Sequence, residues 1–257
     1  MLMTEQQKEQ YREEGWCILE RAMPTEHLEA LRDECARFIA QKDAEMDAQG
    51  VDVLGITHRG SRYFIKDCHV GSDRVRDFLF SPFMSEICRG TLGDEAYLLY
   101  NQYVVKGAEG GMPFSWHQDS GYINANGGDI AHPAYLTCWC PLDDVSEANG
   151  TIYVLPYSRL GIKTWVRHEK DEVTNDWVGY FGSDRGIPVI CPAGSIVLFS
   201  SFVFHSSGAN TTDQMRRVFL AQYSSRPLMR ADGSKPWAHA IPVVQHGHRT
   251  AEPAPAS

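Results

Sequence analysis

The chain contains no apolar run approaching the length of a membrane span, so no membrane-spanning helix is expected. Its opening residues, Met1-Leu2-Met3-Thr4-Glu5-Gln6-Gln7-Lys8, lack an apolar signal region, which predicts a cytoplasmic protein. Positive charge is scarce: 24 Lys and Arg face 33 Asp and Glu, for a net charge of −9. With no basic stripe, a nucleic-acid partner is not expected. No C-x-x-C pair occurs, and the cysteine count of 7 is odd. That pattern predicts reduced, buried thiols rather than a disulfide framework. The spacing of Cys138 and Cys140 is wrong for a zinc knuckle. There is no internal repeat and no low-complexity tract.

What remains is an ordinary globular balance, 43% hydrophobic and 22% charged over 257 residues, enough for one large domain. Thr4-Glu5-Gln6-Gln7 has the form of a capping box, and Gly15 can close the helix it starts. Trp16 to Leu19 reads as a strand. A second helix opens at Pro24-Thr25-Glu26, with Leu28, Leu31, Cys35, Phe38 and Ile39 on one face. Residues 49–62 lose periodicity around Gly50, Gly55 and Gly60 and predict a long loop. Ser72 and Ser81-Pro82 predict two short helices.

After Gly93 short β-rich runs take over: 96–106, 134–142, 151–155, 187–191, 195–199 and 216–224. Turn residues separate them, which predicts a sandwich or barrel. Helices first and strands later, with no polar linker, predict a single α+β domain with a mainly β core over 1–249. Its helical part would span 1–93 and its barrel about 94–228. Residues 250–257, rich in Ala and Pro, are expected to be a disordered tail.

Within this frame, Trp116-His117-Gln118-Asp119 places an imidazole and a carboxylate two residues apart. In an extended segment both reach the same face, and one nitrogen with one hard oxygen suits a borderline divalent metal. On its own, H-x-D is a cheap pattern, and it needs a third ligand. His205 is the best candidate, because the strand-like run 194–199 and the apolar Phe202-Val203-Phe204 lead into it. Arg216 follows eleven positions later, across the turn Asn210-Thr211-Thr212-Asp213, where an antiparallel strand would return it to the same cavity.

These pieces resemble the phytanoyl-CoA dioxygenase family of Fe(II)/2-oxoglutarate-dependent oxygenases. The matching stretches are Trp116-His117-Gln118-Asp119-Ser120, Glu147 to Ile152, Leu155-Pro156-Tyr157-Ser158, Pro192-Ala193-Gly194-Ser195, and His205-Ser206 through Asn210 to Arg216. The resemblance covers residues 96–225 with order and spacing, and the helical part less specifically. It implies a double-stranded β-helix of the jelly-roll or cupin-like kind, with the N-terminal helices packed on one sheet. It implies Fe(II) held by His117, Asp119 and His205, with 2-oxoglutarate and O2 completing the site and ascorbate as a stimulant. Arg216 matches the position that binds the far carboxylate of 2-oxoglutarate, a task suited to a guanidinium.

Alternation along Tyr100 to Lys106 puts Gln102 and Lys106 on one face, and related enzymes place a polar residue of this strand on the cosubstrate. Gln102 is preferred and Lys106 is kept. Thr151 and Ser207 are further candidates. Halogenases of the family lack the carboxylate that Asp119 supplies, so the implied reaction is hydroxylation of a small or medium metabolite, with 2-oxoglutarate converted to succinate and CO2. Substrate contacts are expected from Arg59, Arg62, Tyr122, Trp139 and Trp177. Residues 160–186 are expected to form a lid together with 49–62. Two other readings stay open: epoxidation, desaturation or isomerisation at the same centre, and a non-catalytic jelly-roll module with a structural metal. A monomer and a homodimer are both compatible with the sequence.

Overall fold

The structure is a computed structural model and describes residues 2–172 and 174–250. Thr4 accepts from the Gln7 amide while the Gln7 side chain accepts from the Thr4 amide, so the capping box forms and starts Glu5–Glu14. Gly15 closes that helix at φ 79°, and a Cβ there would lie 2.5 Å from Val203. The turn therefore needs glycine both for its backbone and for its space. Helix Thr25–Gln49 buries Leu31, Cys35 and Phe38. Ser72 and Ser81 cap Asp73–Leu79 and Pro82–Leu92 by accepting from Val75 and Met84.

The β part consists of two principal antiparallel sheets. The larger runs in the order Trp16–Leu19, Ile196–Ser200, Leu136–Pro141, Arg216–Ser224, Ala96–Lys106, Arg62–Lys66, Thr57–His58, Val53–Leu54. Ile241–Gln245 also pairs with Ala96–Lys106. The smaller runs Ile187–Pro188, Ile152–Leu155, Phe204–Ser207, Phe114–His117.

Side-chain alternation sorts the larger sheet into two faces. Phe219, Ala221, Tyr223, Cys138 and Cys140 pack with Leu31, Phe38, Phe78 and Ile87 of the helices. Val218, Leu220, Trp139, Val197 and Phe199 pack with Ile152 and Val154 of the smaller sheet. A register shift between Gln222 and Tyr223 sets Gln222 opposite Tyr100 but Tyr223 opposite Leu98. The extra residue switches the parity of the Ala96–Lys106 strand. Leu98 therefore faces the helices, while Tyr100, Gln102 and Lys106 face the space between the sheets.

Two expectations change. Residues 49–62 are not a loop: Val53–Leu54 and Thr57–His58 turn at Gly55 and Gly60, both at positive φ, and extend the larger sheet. The glycines that break helical periodicity here make hairpin turns. Thr250, the first residue of the expected tail, bonds back to Val243 and Pro242, and 251–257 lie outside the described residues. All seven cysteines are free and buried, as expected. No helix among the described residues is long and apolar enough to cross a membrane.

Candidate active site

The smaller sheet supplies two imidazoles. In the pairing of Phe114–His117 with Phe204–Ser207, His205 stands directly opposite His117, and the rings are 4.1 Å apart. Each ring is oriented by the carbonyl two residues before it. His117 Nδ1 lies 2.8 Å from the Ser115 oxygen, and His205 Nδ1 lies 3.2 Å from the Val203 oxygen. A carbonyl only accepts, so Nδ1 carries the proton in both rings and both Nε2 lone pairs are free. Burial, and after it the neighbouring His205, pushes the His117 pKa well below the usual histidine value. The ring is thus held neutral, the form that ligates a metal.

Asp119 joins them by a route slightly different from a continuous strand. It is the first residue of helix Asp119–Ala125, but Gln118 before it is extended at φ −107°, ψ 140°, so the carboxylate still turns to the His117 side. Asp119 Oδ1 lies 3.8 Å from His117 Nε2 and 3.6 Å from His205 Nε2. Its Oδ2 accepts from Thr137 Oγ1 at 2.6 Å and from Gln222 Nε2 at 2.9 Å. These two bonds fix which oxygen faces the imidazoles. One donor atom from each of His117, Asp119 and His205 falls within 4.8 Å of the others.

Gln118 points the other way and fastens the next segment. Its amide donates to the Thr164 and Phe202 carbonyls and accepts from Val166 N, while its backbone N–H donates to His168. The His168 ring sits between Gly121 and Gly179, where a Cβ on either would lie 2.5 Å from it. Thr164, Val166, His168 and Gly179 are thereby held against the Phe114–His117 strand and Gln118 after it. Contrary to the lid expectation, none of the described residues among 160–186 lines the cavity in front of the three ligands.

That cavity measures about 710 Å³. Across it, strand register aligns Arg62, Lys106 and Arg216 on three neighbouring strands. Arg216 is only 1% exposed, and its central carbon lies 5.6 Å from the Trp139 ring. Its Nη2 donates to the Gly150 carbonyl at 3.1 Å, and its Nε and Nη1 have no partner among the described residues. Burial pushes its pKa down to about 10. Arg217 faces away and pairs with Asp143. A buried guanidinium with two free donors and no carboxylate paired to it fits an incoming acid. Lys106 donates to the Gly208 carbonyl; burial first, then Arg216 and Arg62, push its pKa down to about 6.

Of the other expected residues, Gln102, Ser207, Arg62, Tyr122 and Trp139 line the cavity. Three do not. The Thr151 hydroxyl is committed to the Val189 carbonyl. Arg59 is drawn outward by Asp47 and Asp52, at 2.8 and 3.0 Å. Trp177 lies on a separate two-stranded sheet with Glu169–Lys170, outside the lining.

Sequence reading missed Thr137 and Gln222. Strand parity could have found Gln222, which shares its face with Arg216. It also missed the return of the chain through Arg230, Trp237 and His239, which line the same cavity. There Asp67, His69 and His239 form a second cluster. Asn101 Oδ1 accepts from the His69 backbone, so its amide nitrogen must donate to His69 Nδ1. His69 Nε2 then carries the proton and has no lone pair for a metal. With Asp67 accepting from His239 at 2.7 Å, the cluster is a hydrogen-bonded anchor for that segment.

A sequence model of the phytanoyl-CoA dioxygenase family (PhyH) matches residues 11–218. Among curated proteins, L-proline trans-4-hydroxylase of Streptomyces griseoviridis is 25% identical over 239 residues, covering 84% of this chain and 85% of its own. Among solved structures, EctD from S. alaskensis with 2-oxoglutarate and 5-hydroxyectoine aligns with a TM-score of 0.70 at 20% identity, over 98% of this chain and 86% of that one. The non-heme alpha-ketoglutarate-dependent carbocyclase SnoK from nogalamycin biosynthesis aligns with a TM-score of 0.68 at 18% identity, over 91% and 88%.

Proposed function

The chain belongs to the phytanoyl-CoA dioxygenase family, and from that premise we propose that His117, Asp119 and His205 hold Fe(II) while Arg216 seats the far carboxylate of 2-oxoglutarate. The protein is an Fe(II)/2-oxoglutarate-dependent dioxygenase acting on a small molecule. The observation that carries the assignment of residues is the opposition of two groups. Two Nε2 lone pairs and one carboxylate oxygen face a cavity whose other wall presents free guanidinium donors. Two imidazoles and one carboxylate leave open positions, the set expected for non-haem iron oxygenases. A structural metal would instead be closed by protein ligands. The two facing sheets support reading the β part as a double-stranded β-helix.

When bound, the iron and 2-oxoglutarate supply oxygen activation coupled to formation of succinate and CO2, and the substrate C–H bond is oxidised. The chain supplies the rest. The Ser115 and Val203 carbonyls keep both imidazoles in the ligating tautomer. Thr137 and Gln222 hold Asp119 by one oxygen and leave the other for the metal. Arg216 orients the cosubstrate from the opposite wall, with Gln102, Lys106 and Ser207 beside it. Hydroxylation is the outcome we assign, since Asp119 keeps a carboxylate at the site and the relatives include a hydroxylase.

The test is direct. Anaerobic protein given Fe(II) and then 2-oxoglutarate should develop a visible charge-transfer band, and admitting oxygen with ascorbate should yield succinate. Absence of both the band and succinate would remove this reading. Thr137→Val and Gln222→Met should each weaken metal binding roughly 10–100-fold, the range for partners that orient a ligand. Titration of the metal-free protein with Mn(II), followed by its spin resonance, measures this. Affinities equal to wild type would show that these bonds do not set the Asp119 geometry.

A further inference from the structure

The cavity holds a second buried guanidinium, Arg62, to which the metal and cosubstrate contacts proposed above assign no role. Arg62 is only 1% exposed. Its Nε donates to the Ile56 carbonyl at 3.1 Å, which fixes the direction of the side chain. Its Nη1 and Nη2 have no hydrogen-bond partner among the described residues. Phe64 and Phe114 flank the group, with ring centroids 5.5 and 5.6 Å from its central carbon. Phe114 in turn stands edge-on to His117 at 4.7 Å. The free donors are therefore one aromatic ring away from a metal ligand.

Asp176 comes closest to neutralising Arg62. Its Oδ1 lies 3.7 Å from Nη1, beyond hydrogen-bond length, and is itself unsatisfied, while its Oδ2 accepts from Ser115 N. The carboxylate offsets the charge but leaves both terminal nitrogens open. A buried cation with unfilled donors is expensive to keep in a fold. Planar, fixed and forked, such a group is suited to a carboxylate.

Resting on the assignment of Arg216 to 2-oxoglutarate, we propose that the primary substrate carries a carboxylate and that Arg62 binds it. The substrate class is then a small organic acid, anchored beside Phe114 so that its carbon skeleton extends toward the metal. The aromatic rings of Phe64, Phe114 and Tyr122 form the apolar wall along that skeleton.

The experiment uses the full chain loaded with Fe(II). Small carboxylic acids, and the primary amides and methyl esters of the same acids, are screened for stimulation of succinate formation. The affinity for 2-oxoglutarate is measured separately by calorimetry on the Mn(II)-loaded protein. Acids should stimulate while their amides and esters do not. In Arg62→Met the KM for a stimulating acid should rise roughly 10²-fold, the effect of removing one partner of a buried charge pair. Its 2-oxoglutarate dissociation constant should change less than about threefold, and Arg62→Lys should recover part of the KM. Calorimetric binding of 2-oxoglutarate by Arg62→Met also reports that the variant is folded.

Three results would overturn the proposal: stimulation by esters or amides equal to that by acids, no stimulation by any acid, or loss of 2-oxoglutarate binding in Arg62→Met as large as in Arg216→Met. The last would assign Arg62 to the cosubstrate. If wild type neither binds nor turns over 2-oxoglutarate, the underlying reading fails first, and the calorimetry separates that case from the others.

Discussion

Asp119→Ala and His117→Ala should each lower 2-oxoglutarate turnover on the order of 10³-fold or more. The metal contributes several kcal/mol of stabilisation to the reacting groups, and each 1.36 kcal/mol is a factor of ten in rate. Losing one of three protein ligands removes the geometry that holds it. The two variants should differ in stability, however. Asp119 Oδ2 accepts from Thr137 and Gln222, and Asp119→Ala leaves both donors without that acceptor. The fully buried Thr137 hydroxyl loses its acceptor, while Gln222 keeps its bond to the Thr137 oxygen at 3.0 Å, so only part of the network is lost. A cost of about 1–3 kcal/mol is expected. His117→Ala releases only a bond to the Ser115 carbonyl, but it empties a buried ring site between Phe114, Tyr122 and His205. Succinate formation at saturating Fe(II), with thermal melts of the metal-free proteins, checks both. Turnover within tenfold of wild type in Asp119→Ala would refute the metal assignment.

The parts of this site that could be read in the sequence share a property: they depend on local geometry. His117 and Asp119 are two residues apart, and they stay on one side even though a helix begins between them. Gln102 and Lys106 keep a common face because the register shift of their strand lies before both. Alternation lets only one of Arg216 and Arg217 face inward without saying which; the family spacing points to Arg216, and the structure turns Arg216 inward and Arg217 outward.

What escaped depends on which strands lie side by side. Thr137 meets Gln222 because Leu136–Pro141 pairs with Arg216–Ser224 and sets the two opposite each other, 85 positions apart in the chain. Asp176 meets Arg62 through the small-sheet strand that carries Ser115. Arg59 is not in the cavity, because the helix to Gln49 and the hairpin after it bring Asp47 and Asp52 to its guanidinium. Residues 160–186 carry the aromatic content of a binding lid. Their attachment through Gln118 and His168 needed two glycines, Gly121 and Gly179, far apart in sequence.

Arg216→Met should raise the dissociation constant of 2-oxoglutarate by roughly 30- to 4,000-fold, from the about 2–5 kcal/mol expected when one partner of a buried charged hydrogen bond is removed. Arg216→Lys should recover only part, because a point charge cannot reproduce the two-pronged contact. The residual affinity of Arg216→Met should depend on pH, through Lys106. In the wild type Lys106 has its pKa held near 6, so at neutral pH it is mostly uncharged and adds little. Removing Arg216 deletes one of the repulsions that hold it down, and its pKa should rise. Below that pKa Lys106 is cationic and can take over part of the carboxylate, so residual binding should strengthen as pH falls through it. Metal-ligand protonation acts in the opposite direction at low pH, so the comparison must be with Arg216→Met/Lys106→Met under the same conditions. The ratio of the two affinities should grow as pH is lowered from 8 to 6. A ratio of one across that range would show that Lys106 does not face the bound acid, and that Arg216 alone provides the positive charge for it.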